Sequence, residues 1–193
     1  MGTTPDRERR SRAHDPEGRR RDVLAAARRL FAANGYAQTS VRAIAAAADV
    51  NQALVVTYFG GKEALFMEAV GRFEQPRALT GGTEGLGARI ARAYVERWEN
   101  MADDDPWPAL VRSALSHEGS ASLLRSALAE QYAPLRELLG DSDEGRAGTA
   151  MVQCLIGGMI MERYIYGLEP ARSLPAADFE KALAGLLQRA ISG

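Results

Sequence analysis

Residues 50–62 read VNQALVVTYFGGK, and the reading of this stretch decides the fold. Its middle, Leu54-Val55-Val56-Thr57-Tyr58-Phe59, has the β-branched and aromatic composition of a buried strand. A strand needs a partner, and an isolated pair is marginal in water. The sequence offers no second strand candidate. The flanking patterns are helical at short spacing, and tertiary context overrides weak β propensity. The stretch is therefore predicted to be a short helix. Val50, Val55 and Phe59 then face a core, while Gln52, Ala53, Val56, Thr57 and Tyr58 lie largely outside.

The segments on either side carry helix punctuation. Asp15-Pro16 is a start signal, an N-cap acceptor followed by Pro at the first helical position. Val23, Leu24, Ala27, Leu30 and Phe31 then fall on one face, and Asn34-Gly35 ends the helix. Thr39-Ser40 caps a second, short helix with Val41, Ile44, Ala45 and Ala48 on its apolar side. Asp49 comes next, at a turn that tolerates positive φ. Gly60-Gly61 stops the quoted stretch. Leu65, Phe66, Ala69 and Val70 mark another helix from Lys62 to Phe73, with Glu63 favouring its dipole. Two short helices joined by a tight turn and buttressed by a preceding helix describe a helix-turn-helix, whose second helix reads a DNA major groove.

Residues 1–14 are polar and aperiodic, and are expected to be a disordered arm. Pro76 and the turn-formers of residues 80–85 mark a boundary. The expected division is 15–73 for the DNA-binding domain and 84–193 for a second domain. Beyond the boundary every pattern is helical. Leu86 to Met101, Trp107 to Leu115, Leu123 to Leu138, Asp143 to about Gly167 and Phe179 to Ile191 each carry an apolar stripe. The fold class is all-α, with about nine helices.

The chain has 193 residues, of which 46% are hydrophobic and 25% charged, ample for a core. Net charge is −1, but residues 1–62 carry 11 Arg and Lys against 6 Asp and Glu. A basic N-terminal third on an acidic remainder points to an anion-binding module on a different body. Arginine supplies 22 of the 24 cations. Its fork suits phosphate and base edges. The Ala- and Gly-rich composition of the chain accounts for the bias equally well. Cys154 is the single cysteine, so no internal disulfide can form, which fits a reducing cytoplasm. No apolar run reaches the ~18 residues of a membrane span, and no signal-peptide pattern occurs. The expectation is a soluble, cytoplasmic protein. No Gly-rich phosphate loop stands after a strand. The two histidines, His14 and His117, cannot build a metal site with one cysteine. Neither catalysis nor a cofactor or metal is expected.

The run Thr39-Ser40-Val41-Arg42-x-Ile44-Ala45-x-x-Ala48-Asp49-Val50, continued by Tyr58-Phe59-Gly60-Gly61-Lys62-Glu63-x-Leu65-Phe66, resembles the DNA-binding domain of TetR-family transcriptional regulators. So does the upstream Leu30-Phe31-x-x-x-Gly35-Tyr36. The likeness spans about residues 20–70; the remainder is similar in helix count and size. It implies an N-terminal three-helix DNA-binding domain with a helix-turn-helix. It also implies a C-terminal helical domain for ligand binding and dimerisation. Thr39 and Ser40 would cap the second helix and touch a phosphate. Arg42 would reach the backbone or a base edge. Gln52, Ala53 and Thr57 would face the groove, with Gln52 bonding adenine. Tyr58 and Lys62 would hold phosphates, and Arg19, Arg20 and Arg21 would track the backbone or a neighbouring minor groove. Two positions depart from the family pattern. Val56 stands where an aromatic is frequent and could touch thymine, and Asp49 stands where Gly is common.

In the second half, the Asp143–Gly167 helix is apolar on more than one face. With the last stripe it could form a four-helix interface across a two-fold axis through Ile156, Gly157, Ile160, Tyr164, Phe179, Leu183, Leu186 and Leu187. Packing within one chain is the alternative. The resemblance places an effector pocket among Trp98, Met101, Trp107, Leu110, Val111, Ala114, Leu128, Tyr132 and Met151, suited to an apolar small molecule. Ordinary core is the alternative for each. The implied partners are a pseudo-palindromic double-stranded operator, a second copy of the chain and that effector. The implied function is a repressor released by the effector. The competing reading is a helical protein-interaction module or a ligand-independent regulator.

Overall fold

The computed structural model describes residues 15–70 and 79–192. The arm expected at 1–14 lies outside them, as do residues 71–78, which hold the end of the first expected domain and the start of the boundary segment. Nine α-helices occur in order, with no strand among the described residues. They are α1 (Pro16–Gln38), α2 (Val41–Ala47), α3 (Gln52–Phe59), α4 (Lys62–Val70), α5 (Leu86–Glu99), α6 (Trp107–Ala114), α7 (Glu118–Leu139), α8 (Asp143–Met159) and α9 (Ala176–Ser192). After Met159 the winding of α8 widens into a π-helical segment, Ile160–Ile165.

Among the described residues the helices gather into two units, 15–70 with 103–124, and 79–102 with 125–192. The second unit therefore does not take the whole of 84–193: α6 and the first turns of α7 pack with the first. Arg28 on α1 shows why. Its guanidinium donates to the Asp104 carboxylate and, at 2.8 Å, to the carbonyl of Ala69 near the end of α4. Leu110 and Leu123 then enter the same core as α1, and Trp107 packs against it.

That core is built from one face of each helix. Val23, Ala26, Ala27 and Phe31 of α1 meet Ile44 and Ala45, Val55 and Phe59, and Leu65, Phe66 and Ala69. Phe31 and Phe66 meet edge-on at 4.9 Å between centroids, and Tyr36 stands edge-on to Phe66 at 5.2 Å. Burying a ring such as Phe31 contributes about 3 kcal/mol, and the trio joins α1 to α4. Asp15 caps α1 through Gly18 N–H, with Pro16 next in sequence. Gly35 takes φ 75° and breaks the helical path at the expected place.

In the second unit, α5 packs along α9 and α9 along α8. The α5–α9 approach depends on Gly87. A Cβ there would stand 2.4 Å from the Gln188 nitrogen and 2.6 Å from the Ala184 carbonyl oxygen. Gln188 accepts the Gly87 N–H through its side-chain oxygen. Ser142 caps α8, accepting from Gly145 N–H. Arg163, in the π segment, is the buried cation of this unit's described residues. It donates to Glu99 Oε1 at 3.0 and 2.8 Å and to the carbonyls of Ala171 and Leu174. It lies over the rings of Tyr164 and Phe179. No helix of the described residues is long and apolar enough to cross a membrane.

Candidate nucleic-acid interface

Residues 52–59 form a helix, and both of its ends are fixed. Asn51 caps α3 by accepting the Leu54 N–H at 2.7 Å. Gly60 takes the left-handed conformation, φ 81°, and its N–H closes on the Val56 carbonyl. The turn from α2 is tied by Asp49 N–H to Ala46 and Val50 N–H to Ala45. Asp49 sits at φ 53°, as a turn residue that tolerates the left-handed region. Val55 and Phe59 are buried and Val50 packs against them. Gln52, Ala53, Val56 and Thr57 are exposed. The sequence reading therefore holds for both faces except at Tyr58, expected outside but half-buried against the core. It misses Asn51 as a cap, although an Asn just before a helical octet is itself a start signal.

The residues expected around this face divide into those that are open and those the fold has already engaged. Ser40 is exposed and caps α2, accepting the Ala43 N–H at 3.1 Å. Arg42 is exposed and makes no ion pair among the described residues. Thr39, by contrast, is buried, and its hydroxyl donates to the carbonyls of Leu30 and Gly35. It ties the end of α1 to the start of α2 and does not present its hydroxyl to a phosphate. Tyr58 is half-buried, edge-on to Phe59. Lys62 lies over the Tyr36 ring at 4.4 Å and its ammonium donates to the Ala37 carbonyl at 3.4 Å. Partial burial lowers its pKa from the ordinary 10.5. In this state Lys62 staples α4 to the segment before α2. Arg20 is also occupied, pairing with Glu68 and covering the Phe59 ring. Arg21 comes within 3.9 Å of Asp15. Pairs such as Arg20–Glu68, between residues far apart in sequence, leave no local pattern to read.

The residues expected to form an effector pocket split between the units. Trp107, Leu110, Val111 and Ala114 belong to the first, where Leu110 is wholly buried in the helical core. Trp98, Met101, Leu128 and Tyr132 belong to the second. There Trp98 stacks on Tyr164 at 5.2 Å. Tyr132 is buried, which pushes its pKa up to about 12. Beside it Gln131 donates to the Tyr94 hydroxyl at 2.8 Å. Met151 is 51% exposed, so it points away from the interior of its own unit.

Among the residues expected at a two-fold interface, Ile156, Ile160, Leu183 and Leu187 are buried within the chain itself. Their apolar surface is already covered within the chain, so these four do not offer it to a partner. Tyr164 donates its hydroxyl to Glu99, and Phe179 carries the Arg163 guanidinium. Gly157 has open space where a side chain would stand, and Leu186 is exposed.

Residues 23–69 match the family described as "Bacterial regulatory proteins, tetR family", and residues 84–191 match "Tetracyclin repressor-like, C-terminal domain". A solved TetR-family regulator, SCO0857 from Streptomyces coelicolor A3, is 30% identical. It aligns over 93% of this chain and 98% of its own, with a TM-score of 0.69. GusR of Salmonella enterica shares the fold at 22% identity, over 93% of this chain and 98% of its own, with a TM-score of 0.65. A TetR-family transcriptional regulator from Streptomyces coelicolor shares it at 21% identity, over 91% and 89%, with a TM-score of 0.53. No curated protein matches the sequence. Both family matches fall on helices described above, the capped α2–α3 pair within one and helices α5 to α9 along the other, and the chain belongs to the TetR family of DNA-binding transcriptional regulators.

Proposed function

We propose that this regulator is a repressor that binds a pseudo-palindromic operator as a homodimer and releases it when an apolar small molecule occupies the C-terminal helices. The observation that carries the reading is the α2–turn–α3 geometry, with Gln52, Ala53, Val56 and Thr57 exposed on a helix capped at both ends. Ser40 and Arg42 lie at the preceding helix, free of competing ion pairs among the described residues, where a phosphate would run. One such helix covers only a few base pairs. Two copies about one DNA turn apart, ~34 Å, give useful specificity. The partner surface is the exposed side of α8 and α9, with Ala150, Met151, Cys154 and Gly158 on one and Ala182 and Leu186 on the other. Trp98 and Tyr132 supply aromatic surface for the effector, and the Tyr94–Gln131 pair a polar handle. A ligand acts only through unequal affinity for two states of the dimer.

The test is operator binding by the full chain across a salt series. Phosphate contacts demand a steep loss of affinity with salt. Arg42→Ala is expected to weaken binding and to lower the salt slope by about 1. An unchanged affinity and slope would remove Arg42 from the interface, while a full chain that binds no duplex even at low salt would leave the interaction-module reading in its place.

A further inference from the structure

α3 carries no charged residue: its sequence is QALVVTYF. The side chains that read guanine in pairs of hydrogen bonds are Arg and Lys, and α3 has neither. What it exposes is one amide, Gln52, and three small apolar groups, Ala53, Val56 and Thr57. Val56 is 46% exposed, an unusual setting for Val in a unit whose other large aliphatics are mostly covered. Thr57 adds a methyl to the set. Its hydroxyl donates to the Ala53 carbonyl one turn back, at 2.9 Å, so its methyl is the group left to meet a ligand. The caps at Asn51 and Gly60 hold this face in one register. The major-groove feature that suits a cluster of methyls is the thymine 5-methyl, the only apolar group any base edge offers there.

Resting on the DNA-binding reading, we propose that α3 recognises adjacent adenine·thymine pairs by packing Val56, Thr57 and Ala53 against thymine methyls, with Gln52 bonding one adenine. Guanine, where the half-site contains it, is left to Arg42 on α2.

The experiment starts by selecting duplexes from random-sequence DNA with the full-length protein. In the winning half-site each thymine is then replaced singly by deoxyuridine, which removes the methyl and keeps every hydrogen-bonding group. Affinities are read by fluorescence anisotropy. The expected result is a loss of about fourfold at each contacted thymine, at adjacent positions. That loss disappears in Val56→Ala at one position and in Thr57→Ser at another. Both substitutions are at exposed sites, and Thr57→Ser keeps the hydroxyl bonded to Ala53. Circular dichroism confirms their helicity. A selected half-site in which deoxyuridine is silent everywhere, or costs the variants as much as the native chain, overturns methyl recognition alone. Failure to enrich any duplex overturns the DNA-binding reading and this proposal with it.

Discussion

Thr39 and Ser40 are adjacent hydroxyls with opposite duties, and each predicts a different outcome. Ser40 accepts a helix N–H at the surface, so Ser40→Ala costs about 1 kcal/mol of stability and any operator contact its hydroxyl makes. Thr39 donates to two carbonyls inside the first unit. Thr39→Val therefore lowers stability by about 1 kcal/mol in urea unfolding, while operator affinity of the folded fraction is unchanged. Glu99 is an acid-sensitive residue. Partial burial pulls its pKa upward, but hydrogen bonds from Arg163 and Tyr164 and the nearby guanidinium outweigh burial and hold it below the ordinary 4.5. A carboxylate depressed on folding contributes stability that is complete above its unfolded value and is lost as pH falls through the folded one. Stability measured between pH 7 and pH 3 should therefore fall less steeply in Glu99→Gln than in the native chain; equal slopes would show that the Glu99 carboxylate has no part in the acid limb.

Single elements are the most legible scale. The start of α1 at Asp15-Pro16, its break at Gly35, the α2 cap and the helical state of residues 52–59 all come from local chemistry, because caps and turns involve neighbours in sequence. Even the buried and exposed faces of α3 are readable, since one helix period sorts Val55 and Phe59 from Gln52 and Val56. Contacts between distant residues are illegible. Nothing near Arg28 announces Asp104, and nothing near Lys62 announces that its ammonium turns inward over Tyr36. The apolar stripes of α8 and α9 mark the helices but not which stripe is covered within the chain. Ile156 and Leu187 are buried while Met151 and Leu186 are not, a distinction that hydrophobicity alone does not make. Gly87 is a further case, because its need comes from the backbone of α9. Gly87→Ala forces a side chain into that backbone and should destabilise by about 1–3 kcal/mol, seen as a lowered Tm.

For the molecule as a whole, the proposed partner surface on α8 and α9 would tie assembly to operator affinity. Met151→Asp with Leu186→Asp is expected to leave helicity intact and convert a dimer to a monomer in analytical ultracentrifugation, with operator affinity falling at the same protein concentration. A variant that stays dimeric would move the interface elsewhere. Arg163 and Tyr164 sit in the wide turn of residues 160–165, one carrying its guanidinium and the other its hydroxyl to the same oxygen of Glu99. Each residue added to or taken from an α-helix rotates the downstream turns by about 100°. Deleting Met161 to restore ordinary winding would thus swing this arginine around the barrel of the helix, strand the acid it neutralises, and unfasten the carbonyls at 171 and 174 that it gathers. The bulge thus sets where the guanidinium points, and shortening it is expected to lower Tm.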